Sequence, residues 1–155
     1  MNYPFDPIYE AAMALLPPSM SSPEAKAMLI ATGLQESQFR FRKQHYQGPA
    51  RGFWQFEMGG ATRGLIEHPV TGPILRPLLD KLCYSTYPAD VWNAIEHNDV
   101  LACVMARLML YTVPAKLPGP TDVEEGWRQY QWAWRPGKPH PERWPENFSK
   151  AWQEV

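Results

Sequence analysis

At 155 residues the chain is long enough to bury one core, and nothing in its composition marks a second domain, so a single domain over residues 1–155 is expected. Lys and Arg number 15 against 16 Asp and Glu, and the resulting formal net charge of −1 gives no long-range pull on a polyanion, which argues against nucleic acid as a partner. No apolar run has the length of a membrane span, and the opening Met1-Asn2-Tyr3-Pro4-Phe5-Asp6 has neither the basic segment nor the apolar stretch of a secretory signal. A soluble, monomeric chain made in the cytoplasm without a signal peptide is expected.

Ile8, Ala11, Ala12 and Leu15 recur at helical spacing and predict a short amphipathic helix stopped by Pro17-Pro18. A second helix starts either at Ser21, in capping-box spacing to Glu24, or at Ser22 with Pro23 in the first turn. Met28, Leu29, Thr32 and Gly33 form its inward side, which puts Glu36 one turn past Thr32, near the C-terminal end. From Gln44 to Gly60 the glycines break period-two alternation, so turns and a short helix beginning near Phe53 are expected in place of a strand pair.

Ile74, Leu75, Leu78, Leu79 and Leu82 make a helical stripe within 73–83, and residues 89–97 make a shorter helix with Val91 and Ile95 inward. Asn98 or Asp99 caps the strongest helix, whose Val100, Leu101, Val104, Leu108 and Tyr111 line one face before Pro114; this is the expected central core helix. Further helices are predicted over 122–132 and 146–152. Five of the seven tryptophans lie from Trp127 onward, in a Trp- and Pro-rich C-terminal segment that closes the core, lines a sugar groove, or does both. The expected fold class is mainly α. Cys83 and Cys103 sit in apolar helical surroundings and read as buried thiols, with a bond between adjacent helices left open.

The chemistry centres on Glu36-Ser37, followed fifteen residues later by the turn Gly52-Phe53-Trp54-Gln55-Phe56. A carboxyl group near a helix C-terminus receives no help from helix-end amides, and burial there raises its proton affinity. Such a group suits protonation of a departing sugar oxygen. Taken alone, Glu36 would be an ordinary exposed helix-end residue. The neighbouring turn changes that: Ser37 can bond the carboxyl group or the following backbone, Gln55 can offer donor and acceptor to the acid or to a sugar amide, and Phe53, Trp54 and Phe56 can pack the turn or face substrate. Glu57, Glu67 and Asp122 are candidates for a second acid, though surface solvation accounts for each. Two basic clusters, Arg40, Arg42 and Lys43, then Arg128, Arg135, Lys138 and Arg143, would suit an acidic polymer or simply face solvent.

No metal and no organic cofactor is expected. His45, His68, His97 and His140 are dispersed without HExxH or Cys/His ligand spacing, and Glu96-His97-Asn98-Asp99 would point in different directions along a helix. Gly59-Gly60-Ala61-Thr62 lacks the length and the lysine of a phosphate loop.

The two motifs together resemble the lysozyme-like superfamily, in particular its soluble lytic transglycosylase and goose-type lysozyme branch. Members carry Glu-Ser at a helix end, then a Gly-Leu-Met-Gln-Ile/Val turn on the groove floor. Here these stand as Glu36-Ser37-Gln38-Phe39 and Gly52-Phe53-Trp54-Gln55-Phe56, with Phe-Trp in place of Leu-Met. The family's late Tyr-Asn-Ala-Gly segment departs to Tyr130-Gln131-Trp132-Ala133, and Tyr130 is the closest candidate for the tyrosine that approaches acid and substrate.

The resemblance spans roughly residues 20–135. It implies a lysozyme-like helical domain with a central helix and a substrate groove, and a peptidoglycan glycan strand as partner. The bond would be the β-1,4 link from N-acetylmuramic acid to N-acetylglucosamine, with Glu36 as general acid and base. Hydrolysis and 1,6-anhydro ring closure stay open. A phage lysis or virion protein is the expected setting, acting on the cell wall after release through a membrane lesion or from the virion. The competing expectation is a non-catalytic carbohydrate-binding or virion assembly module of the same fold.

Overall fold

A computed structural model describes residues 5–155; Met1 to Pro4, part of the segment read for a signal, lie outside the described residues. Among the described residues helix occupies 65%, beside one small two-stranded sheet, which makes the domain mainly α. Helices α1 (Phe5–Ala14) and α2 (Pro23–Glu36) precede strands β1 (Ala50–Arg51) and β2 (Phe56–Glu57). Six helices follow: α3 (Arg63–Glu67), α4 (Gly72–Lys81), α5 (Pro88–His97), α6 (Asp99–Tyr111), α7 (Val123–Trp134) and α8 (Trp144–Gln153). None of these helices is long and apolar enough to cross a membrane.

Local chemistry explains the helix starts. Between the two openings available to α2, the chain takes Ser22, whose Oγ accepts from the Ala25 amide at 3.1 Å, with Pro23 in the first turn where its missing N–H costs nothing. Asn98 caps α6 in the same way, its Oδ1 accepting from the Leu101 amide at 2.9 Å. From Leu101 to Leu108 every residue of α6 is buried, as expected of the central helix; Val100 and Tyr111, assigned to its inner face, are half-buried and exposed. Residues Ala27 to Gly33 of α2 are buried without a break, so this helix too runs through the interior. Its most extensive packing is against α8, while α1 lies on α6.

Three expectations need correction. In α1 the buried residues are Phe5, Tyr9, Ala12 and Met13, with Leu16 just beyond, so the inner face is turned about one residue from the Ile8, Ala11, Ala12, Leu15 stripe. Larger rings decide the rotation: Phe5 and Tyr9 stack with centroids 5.8 Å apart, and Phe5 also meets Phe39 at 5.8 Å. No helix begins near Phe53. Residues 52–55 form the turn of a hairpin whose strands pair antiparallel, Ala50 with Glu57 and Arg51 with Phe56, and Gly52 and Gln55 hold φ of 73° and 52° that a helix cannot continue through. Finally Cys103 is buried but Cys83 is exposed, at φ 61° in the turn that ends α4, and both are free.

After α2 the chain reverses through two left-handed residues, Gln38 at φ 54° and Phe39 at φ 52°. Each non-glycine residue in that region costs about 1–2 kcal/mol. Burial of the Phe39 ring offsets this: it is 7% exposed and meets Phe53 at 5.5 Å and Trp54 at 5.7 Å, and a buried Phe contributes about 1.5–3 kcal/mol before its ring contacts. The ring lies directly on the backbone of Gly33, where an added Cβ would stand 2.2 Å from Cζ. Gly33→Ala is therefore expected to displace Phe39 and cost about 1–3 kcal/mol. Urea unfolding measures it, and an unchanged midpoint would show that the reversal does not depend on this contact.

Candidate active site

Glu36 is the last residue of α2, and its carboxyl group faces α7, where Tyr130 Oη donates to Glu36 Oε1 at 2.6 Å. These residues are 94 apart in sequence, and the structure brings together the expected acid and the tyrosine assigned to it. Tyr130 is 2% exposed, held in an aromatic column. Its ring stacks on Trp144 at 5.2 Å and on Trp134 at 6.2 Å; Trp134 stacks in turn on Phe56 of β2, and Trp144 meets Phe148 of α8 at a tilt of 37°. The column leaves the tyrosine hydroxyl one direction in which to point.

Burial is the dominant influence on Glu36 and raises its carboxyl from 4.5 to about 7; the bond from Tyr130 opposes the rise without cancelling it. Among the described residues no charged side chain contributes to this shift. Burial and the adjacent carboxylate hold the Tyr130 phenol far above its ordinary range, so this hydroxyl stays a donor. The result is a carboxylic acid half protonated near neutrality, with one neutral donor to receive the anion once the proton has left.

Ser37 does not bond the acid. Its Oγ lies 2.7 Å from the Phe53 carbonyl oxygen and 3.3 Å from that of Gly33, and its single proton belongs to the shorter bond. The same oxygen accepts from the Phe39 amide at 3.2 Å. Ser37 thus joins the end of α2 to the hairpin turn. Trp54 adds two further ties: its Nε1 donates to the Leu29 carbonyl at 2.9 Å, and its own carbonyl accepts from Trp134 Nε1 at 2.9 Å. Helix α2, the turn and α7 are thus fixed to one another.

The other expected substrate contacts turn inward. Phe53 is 1% exposed and Trp54 and Phe56 are 0% exposed, so their rings are core and present no face to a sugar. Gln55 Nε2 donates to the Gly52 carbonyl at 2.8 Å, closing its own turn. Gly52 is required there, since at φ 73° it brings its Cα close enough to the Ile95 carbonyl that a Cβ would stand 3.0 Å away. The tryptophans from Trp127 onward mostly pack the core as well; Trp132, at 40% exposure, is the open ring. Glu57, Glu67 and Asp122 are all exposed, Glu67 paired with Arg63 at 3.5 Å and Asp122 accepting from the Gly119 amide at 3.0 Å.

Sequence reasoning missed Gln35. Its Nε2 donates to the carbonyls of Pro139 and His140 at 2.7 and 3.0 Å, and its Oε1 accepts from Asn147 Nδ2 at 2.8 Å. It pins the segment before α8 to the residue next to the acid. A cleft of about 370 Å³ opens at this end of the molecule, but Leu34, Gln38 and Arg40 line its α2 side and Glu36 does not. No three His, Cys, Asp or Glu side chains among the described residues converge as a metal site would require. Compared with protein-family models, curated proteins and solved structures, the chain matches none.

The raised acid carries a stability signature. The folded protein holds the Glu36 proton more tightly than the unfolded chain by roughly 3 kcal/mol. Because the folded value is the higher one, that contribution is complete below 4.5 and lost as pH rises through about 7. Glu36→Gln, a neutral mimic of the protonated acid, should match the wild type near pH 4.5 and exceed its stability by roughly 3 kcal/mol near pH 8. Urea unfolding of both proteins across this range reads the difference, and parallel curves would rule out a buried, raised carboxyl.

Proposed function

We propose that the protein cleaves a glycosidic bond of peptidoglycan, with Glu36 as the single acid and base. The observation that carries this reading is a carboxylic acid raised to about 7 by burial and met by one neutral donor, Tyr130, at a helix end braced by the Gly52–Phe56 turn. With the Glu-Ser and Gly-to-Gln motifs in their relative places, that arrangement supports a lysozyme-like domain within the mainly α class.

Protonated Glu36 gives its proton to the oxygen leaving C1 of the muramoyl unit as the C1–O bond breaks. The carboxylate left behind accepts the Tyr130 hydrogen bond, a charge-assisted bond stronger than the one made to the neutral acid. It then takes the proton of the muramoyl C6 hydroxyl as that oxygen bonds to C1, closing a 1,6-anhydro ring and restoring the acid. Three exposed carboxylates, Glu57, Glu67 and Asp122, and a Glu36 whose shift comes from burial and Tyr130 favour this route over an inverting mechanism with a second acid. The phage lysis or entry setting belongs to the same proposal.

One observation favours the non-catalytic alternative. The cleft at this end excludes Glu36, and the rings expected to face sugar are buried. A carbohydrate-binding or assembly module would keep the packing and have no use for the acid.

Digestion of peptidoglycan followed by mass spectrometry of the soluble products separates these readings. The wild type should release 1,6-anhydromuramic ends and Glu36→Gln should release none; reducing muramic ends would make it a hydrolase, and no products from a folded wild type would favour the binding module. Cleavage should fall as pH rises through about 7, where Glu36 loses its proton. Tyr130→Phe removes the one interaction that lowers this value, so its alkaline limb should move to higher pH while the rate drops; an unmoved limb would detach Tyr130 from the acid.

A further inference from the structure

We propose that the cleft between the end of α2 and α8 binds carboxylates of a short acidic peptide carried by the glycan, an inference that rests on the peptidoglycan reading. The cleft draws on both basic clusters of the sequence. Arg40 comes from the reversal after α2, Arg143 from the segment before α8, and Lys150 from α8 itself, against the single carboxylate of Glu146.

Glu146 is already engaged, 2.5 Å from Lys150 Nζ, which leaves the two guanidinium groups to set the field. Arg143 has only a loose neighbour, Glu142 at 3.7 Å, and Arg40 pairs with no acid among the described residues. The other cluster members are committed elsewhere or lie off the cleft. Arg42 makes a bidentate pair with Asp99 at 2.8 and 2.7 Å, and Arg128 is held by Glu125 at 2.7 and 2.6 Å.

The lining fits a peptide better than a sugar. Planar guanidinium forks match carboxylates bidentately. Gln38 and Asn147 supply amides able to meet peptide N–H and C=O groups, Leu34 adds an apolar wall, and no aromatic ring offers a stacking face. The volume of about 370 Å³ lies at the small end of ligand sites, of about 300–1,000 Å³, which suits a few residues and not a polymer. The site is tied to the acid through Asn147, whose Nδ2 donates to Gln35, the residue before Glu36, at 2.8 Å. A peptide seated there would place its glycan near the end of α2.

Calorimetric titration of the full-length Glu36→Gln protein tests this without turnover. The probes are a muramoyl disaccharide bearing an acidic tetrapeptide, the same disaccharide without its peptide, the acetylated tetrapeptide alone, and inorganic phosphate. The peptide should tighten binding about tenfold, and the added affinity should shrink when salt rises from about 0.05 to about 0.5 M. Arg40→Ala with Arg143→Ala, both at exposed positions, should erase that gain and leave the peptide-free disaccharide unaffected.

Equal affinity with and without the peptide would overturn the proposal, while Glu36-dependent cleavage would keep the function reading intact. If neither saccharide binds and no wall is cleaved, the function reading fails and the peptide alone decides the cleft: Arg-dependent binding supports it and no binding overturns it. Phosphate displacing the peptide at equal concentration would also overturn it, as an unselective anion site.

Discussion

A carboxyl group drawn partly out of water is costly to ionise, and among the described residues Glu36 has the Tyr130 hydroxyl alone to offset that cost. Everything around the acid preserves this imbalance. The aromatic column of Phe56, Trp134, Tyr130 and Trp144 excludes water from one side and aims the phenol. Had α7 brought an arginine in place of Tyr130, the carboxyl would be fixed as an anion and lose its usefulness as an acid. The stability forfeited when Glu36 ionises is the cost of keeping a proton available near neutrality.

The hairpin turn serves geometry more than chemistry. Ser37, Phe53, Trp54 and Gln55 hold one another and the ends of α2 and α7 through backbone carbonyls: Phe53 accepts from Ser37, Leu29 accepts from Trp54, Trp54 accepts from Trp134 and Gly52 accepts from Gln55. Each donor is a side chain that would be expensive to bury unpaired. Residues that look like a sugar-binding strip in sequence are thus the bracket that sets the depth of the acid.

What was legible in the sequence was local. The Ser22 cap, the Asn98 cap and the apolar run of α6 depend on residues within a few positions of one another; each cap is one of two that the sequence offered, and α6 is the buried central helix expected. The face of α1 was misplaced by about one residue because Phe5 follows the rings of Phe39 and Trp54, which are distant in sequence, and Tyr9 stacks on Phe5. Strands of two residues each are too short to show alternation, and the turn between them is closed by a left-handed Gln55 that no composition rule marks. Cys83 seemed to continue the leucine stripe of α4, but the helix ends at Lys81 and a left-handed turn carries the thiol outward. Glu36 was visible from its motif, and Tyr130 only from its place in a resemblance. The Gln35–Asn147 link spans 112 residues and has no sequence signature at all.

The central claim is the protonation state of one side chain. Carbon-13 labelling of the glutamates, with the Glu36 carboxyl resonance assigned by its loss in Glu36→Gln, gives its titration directly. A midpoint at about 7 is the predicted result. A midpoint at 4.5, the value of an open carboxylate, would contradict it and leave the protein without an acid poised for catalysis.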